Sequence, residues 1–139
     1  MKKTTILDLI SRKLAPFMLL FGLYLLTYGH MSPGGGFQGG VVIASGVILL
    51  FVAQGVRPTA SLFPFRTLSL LEAGAFLLLV AAGLAGVVVG GGFLGNPMTR
   101  VYVRAVPRVS MILVYNVLIG LKVGAGISFI CMYLFREDR

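Results

Sequence analysis

The sequence predicts an all-α integral membrane protein: four transmembrane helices, both termini in the cytoplasm, and a glycine-rich, re-entrant-like connection between the first two helices. Three observations carry this reading. Apolar residues make up 58% of the chain and charged residues 12%, roughly half the charged share of a soluble domain. The apolar residues gather into four runs of about the length that crosses a hydrocarbon core. Lys and Arg, twelve against four Asp and Glu, stand mostly at the ends of those runs, where membrane proteins place them, and form no aromatic-laced basic face of the kind that grips nucleic acid. A soluble domain of 139 residues could not cover its surface with so few polar groups. The length suits a single domain, 1–139, with spans expected at about 14–31, 37–56, 68–89 and 110–135.

Residues 1–13 alternate apolar Ile6, Leu7, Leu9 and Ile10 with basic Lys2, Lys3, Arg12 and Lys13, the pattern of a short amphipathic helix lying among lipid headgroups. No small-residue cleavage site follows, so the segment is expected to be retained. Leu14 to Met31 has no acid or base before His30, and Pro16 is expected in the first turn of that span, where its missing N–H is harmless.

The stretch Tyr28-Gly29-His30-Met31-Ser32-Pro33-Gly34-Gly35-Gly36-Phe37-Gln38-Gly39-Gly40 is the organising feature. Val41 to Val56 alone would give about 24 Å of helix, short of a core of about 30 Å. The Phe37–Gly40 part must therefore be helical or enter the membrane as irregular backbone. Lipid does not tolerate unpaired backbone groups, so the glycines are expected to be buried against protein, in this chain or a neighbour.

Arg57, Pro58 and Arg66 mark a short polar hairpin, with Pro64 stopping early helix extension. The third span carries Glu72 one turn inside it, and Gly86 and Gly90 at GxxxG spacing. The last span contains Asn116 and Lys122, the latter flanked by Gly120 and Gly124, and a single cysteine, Cys131, which excludes an internal disulfide. Counted outside the spans, the N-terminal segment, the Arg57–Arg66 loop and the tail hold eight Lys and Arg, and the opposite side holds Arg100, Arg104 and Arg108. The positive-inside rule puts the eight in the cytoplasm.

Lys122 lies about 18 Å from either end of its span, too deep to snorkel, and a lysine at a helix centre costs about 2.5–3.5 kcal/mol on insertion scales. Such a residue is expected to hold a buried ion pair or to border an ion path, with Gly120 and Gly124 leaving room beside the ammonium. Glu72, the only acid inside a span, is expected about 12 Å shallower than Lys122, so a water bridge or a partner subunit is expected between them, and direct pairing only if both side chains stretch toward each other. Glu72 otherwise reads as a first-turn acid favoured by the helix dipole. His30 is the one side chain of its stretch that titrates near neutral pH, and reads as a proton carrier or a helix cap. Asn116 is expected to hydrogen-bond across helices. No nucleophile–base set, metal-ligand cluster or phosphate loop is present in the sequence. Catalytic residues, metals and cofactors are therefore not expected in this chain.

The run Gly29-His30-Met31-Ser32-Pro33-Gly34-Gly35-Gly36-Phe37-Gln38-Gly39-Gly40 resembles the signature of the MnhB/MrpB family, close to GH-x-x-PGGGF-x-GG, and the similarity in length and span number covers the whole chain. The resemblance implies the B-type component of a multisubunit Na+/H+ antiporter of the Mrp type. Such a component works in the prokaryotic cell membrane with other small subunits and with large antiporter-like subunits. Similar B-type subunits occur in archaeal membrane-bound hydrogenases and sulfur-reducing complexes, with hydrogenase-like or iron–sulfur partners. On this reading Lys122, Glu72, His30 and Asn116 are ion-path candidates, and Pro33, Gly34, Gly35, Gly36, Phe37, Gly39, Gly40, Gly120 and Gly124 are packing residues. The chain departs from the antiporter pattern in the last span, where Tyr115-Asn116-Val117 stands in place of an Asp-containing motif and Lys122 has no counterpart; both departures lean toward the hydrogenase-type relatives. A purely structural assembly subunit is the alternative. A stand-alone small transporter fits least, because the two halves show no internal repeat.

Overall fold

A computed structural model of the chain describes residues 5–29, 34–88, 92–94 and 111–137. These form five helices: α1 (Thr5–Tyr28), α2 (Gly36–Gln54), α3 (Val56–Leu62), α4 (Phe65–Val88) and α5 (Met111–Glu137). All but α3 are long and apolar enough to cross a membrane.

α1 differs from its expectation. The basic segment and the first span form one continuous helix from Thr5, because nothing at their junction breaks it. Arg12 and Asp8 pair at 3.2 Å one turn apart, which supports the first turns, and the fully buried Ser11 donates its hydroxyl to the Asp8 carbonyl. Pro16 therefore sits inside the helix and not in its first turn. The carbonyl it deprives of a partner is that of Arg12, on the charged and exposed stretch of α1.

α2 starts at Gly36, so Phe37, Gln38, Gly39 and Gly40 are helical. Before it, Gly34 and Gly35 run extended with φ of 151° and 153°, a region that is almost glycine-only. α2 ends at Gly55, whose N–H bonds the Phe51 carbonyl. The expected polar hairpin is instead the short helix α3. Its Thr59 is fully buried, and Val56, Ala60 and the following Phe63 pack on the core. Arg57 and Pro58 lie toward the outside of this turn; the polar residues that suggested a hairpin form only its outer side. Pro64 separates α3 from α4, as expected of a residue without an N–H, and its carbonyl accepts from Leu68 N–H.

α1 runs antiparallel to α2, α2 parallel to α5, and α4 antiparallel along α5. The main apolar core, Val47, Phe51, Leu68, Ala125 and Met132, lies at the α3 end. Helix contact at the opposite end, where α1 finishes and α2 and α5 begin, is made by glycines. A β-carbon on Gly40 would fall 2.6 Å from the Gly120 carbonyl oxygen, and one on Gly39 would fall 3.0 Å from the Gly22 carbonyl oxygen. Such approach of backbones is what small residues permit in a membrane. Of the Gly86/Gly90 pair, Gly86 is buried and Gly90 lies outside the described residues.

Candidate functional site

Among the described residues, Lys122, Glu72 and Asn116 fall into two clusters inside the spans. The first is an ion pair. Lys122 Nζ of α5 lies 3.8 Å from Glu72 Oε1 of α4 and 5.6 Å from the centre of the Phe76 ring. Glu72 and Phe76 are one turn apart on α4, so they meet the ammonium from one face. The ring's negative face adds an attraction that strengthens where water is excluded.

This contact is the direct pairing that the sequence left as the alternative to water or a partner subunit between Lys122 and Glu72. The expectation took the ends of the two spans as level, and they are not. A β-carbon on Gly126 would lie 3.3 Å from the Glu72 carboxyl, so Glu72 stands level with Gly126. Lys122 is four residues, about 6 Å, further along α5. That distance is half the expected offset and within reach of two long side chains.

Gly120 and Gly124 also serve differently from the expectation. Both face away from the pair: Gly120 against Leu26 of α1 and the Gly36 carbonyl of α2, Gly124 against the Gly40 carbonyl of α2 at 3.3 Å. Two residues along a helix is a rotation of about 200°, which carries them to the side opposite Lys122. The glycine that clears space for the ion pair is Gly126. Sequence reasoning missed it, although its i, i+4 spacing from Lys122 is the signal that could have found it. Phe76, at i, i+4 from Glu72, was missed for the same reason.

The second cluster is the start of α2. The Gly36 N–H, one of the donors that a helix N-terminus leaves unpaired, points at Asn116 Oδ1 of α5 at 3.4 Å. Asn116 thus caps α2 from another helix. A β-carbon on Gly36 would collide with the Asn116 carbonyl, and one on Gly29 would lie 2.6 Å from Gly35 Cα. The described glycines of the organising stretch are therefore seated against α1 and α5 of the same chain, with Gly36, Gly39 and Gly40 buried and Phe37 exposed. Asn116 and Lys122 lie six residues, about 9 Å, apart along α5, so the two clusters are neighbours. His30 and Pro33 lie outside the described residues.

Comparison with known proteins gives a consistent result. The family model described as a domain related to the MnhB subunit of Na+/H+ antiporter matches residues 6–129. The chain is 37% identical over 89 residues to the B-type subunit of the Na(+)/H(+) antiporter of Bacillus subtilis, covering 64% of this chain and 62% of that protein. It is 32% identical over 89 residues to the protein of the same name in Alkalihalophilus pseudofirmus, covering 64% and 61%. An uncharacterized protein of Methanocaldococcus jannaschii is 33% identical over 135 residues, 90% of this chain and 50% of that protein. The chain thus spans about half to three fifths of the length of these curated relatives.

Proposed function

We propose that this chain, which belongs to the family of domains related to the MnhB subunit of Na+/H+ antiporters, is a non-catalytic membrane subunit of a multisubunit Na+/H+ antiporter module and takes part in sodium and proton translocation. Its partners on this reading are the other small membrane subunits and the large antiporter-like subunits of the module. Two relatives named as B-type subunits of Na+/H+ antiporters support it, and so do four candidate membrane spans. Both termini belong in the cytoplasm by the distribution of Lys and Arg.

The observation that carries a part in transport is the Lys122–Glu72 pair inside the spans, with Lys122 near the middle of its own. At 3.8 Å it is longer than the charge-assisted hydrogen bonds of about 2.7–2.9 Å that lock ion pairs. An ammonium held loosely beside a carboxylate competes with an incoming cation or proton for the same oxygens. Displacing Lys122 frees Glu72 for the ion, and the return of Lys122 expels it.

A second reading, a purely structural subunit, draws on the same pair, because it ties α4 to α5. A redox-driven parent complex, toward which Asn116 and Lys122 lean, draws no support from the relatives named above.

Purification in mild detergent with mass spectrometry of the co-migrating chains tests the proposal. Antiporter-like large subunits, together with Na+-dependent proton movement in vesicles, are the expected result. A chain that migrates alone or as a homo-oligomer overturns it.

A further inference from the structure

Among the described residues the ion pair is incomplete. Lys122 and Glu72 keep 38% and 36% of their side chains exposed, and Lys122 stands roughly 15–20 Å from either end of its span, Ile112–Phe135. Among the described residues neither charged group has a hydrogen bond: the ammonium has one long contact to the carboxylate and one aromatic face, Phe76, itself 49% exposed. An ammonium has three donors and a carboxylate about four acceptor sites, and hydrocarbon satisfies none of them. The neighbouring face of α4 is different in kind, with the exposed side chains of Leu70, Leu77, Leu78 and Leu84, which lipid covers without cost.

We propose that the α4/α5 flank around Lys122, Glu72 and Phe76 is the docking surface for a transmembrane helix of a partner subunit. That helix presents, level with Lys122, a neutral side chain that both donates and accepts hydrogen bonds, a carboxamide or a hydroxyl. The pair is already neutral, so a third charge would be stranded at this depth. A donating and accepting group gives a hydrogen bond to the free carboxylate oxygen and takes one from the ammonium. The aliphatic side of α4 offers a partner no such complement. This inference rests on the reading of the chain as a subunit of a membrane complex and adds where one partner sits and what it carries.

The test is photo-cross-linking in the intact complex, with p-benzoylphenylalanine replacing Phe76 and, as control, Leu78 on the aliphatic side. The expected result is a cross-link from position 76 to one membrane segment of another subunit containing Asn, Gln, Ser or Thr near the site, and lipid adducts from position 78. The paired variant Lys122→Leu with Glu72→Leu, which leaves no lone charge in the seam, is expected to reach the membrane in a complex of unchanged composition and to lose the cross-link. Lipid adducts at both positions, a cross-link confined to this chain or a second copy of it, a partner segment with no such polar residue, or full cross-linking in the paired variant would each overturn the proposal. A cross-link to a polar helix in a complex without antiporter-like subunits would uphold this inference while overturning the antiporter reading.

Discussion

α2 and α4 are both long apolar helices, yet the chain uses them in opposite ways. Half of α2's most apolar window is buried, against 17% for α4. α2 carries no charged residue and meets α1 and α5 through Gly39, Gly40 and Gly46. α4 is rich in leucine, packs along α5, and carries the only acid within the candidate spans besides Asp8 of α1. In lipid, leucine gains nothing by leaving hydrocarbon for another helix. Position inside the bundle therefore goes to the helix that others can approach closely, and the leucine-rich helix stays at the margin, held to α5 by Leu68, by the Phe65–Phe129 contact and by an ion pair. What the glycines face, and not hydropathy, tells the two apart: Gly39, Gly40 and Gly46 of α2 meet neighbouring helices, while Gly74 of α4 faces open space.

Adding bulk to each helix in turn puts the hardest strain on this contrast. Gly40→Val places a branched side chain where even a β-carbon would lie 2.6 Å from the Gly120 carbonyl. Overpacking against backbone is expected to cost about 3 kcal/mol or more, seen as loss of monodisperse protein in detergent chromatography. Gly74→Val on α4, where nothing lies within 4 Å of the β-carbon, is expected to leave the elution profile unchanged. Next in size is Glu72→Gln, which strands the Lys122 ammonium. The loss should fall below the about 3–5 kcal/mol of a fully buried pair, since both side chains are about a third exposed. Thermal unfolding in detergent would show a lowered midpoint that Lys122→Met on the same background restores. Asn116→Ala removes the acceptor facing Gly36 N–H and should cost about 0.5–2 kcal/mol, while Asn116→Asp, which keeps the acceptor, should cost less by the same assay. The smallest effect is Gly74→Ala, a helix-interior glycine in open space, expected to stabilise by up to about 1 kcal/mol.

The sequence made the spans legible because crossing a membrane demands length and apolarity, and both are written in composition. Gly36, Gly39 and Gly40 were legible as buried because unpaired backbone is excluded from lipid. What escaped was everything that depends on rotation or register between helices. α1 reads as two segments until Ser11 and the Arg12–Asp8 pair are seen to carry the helix through. α3 reads as polar because Arg57 and Pro58 lie toward the outside while Thr59 faces in. The Lys122–Glu72 contact was hidden by an offset of about one turn between α4 and α5, which no hydropathy pattern records. The two glycines nearest Lys122 in sequence serve another interface, and the one that serves the pair is a full turn away.

Whether the Lys122–Glu72 pair stands in the ion path is decided most directly by Na+/H+ exchange in membrane vesicles from cells carrying Lys122→Met, read together with the subunit composition of the purified complex. Exchange reduced to background in a complex of unchanged composition is the expected result. Full exchange with the complex intact, or a complex that fails to assemble, would contradict the placing of the pair in the ion path.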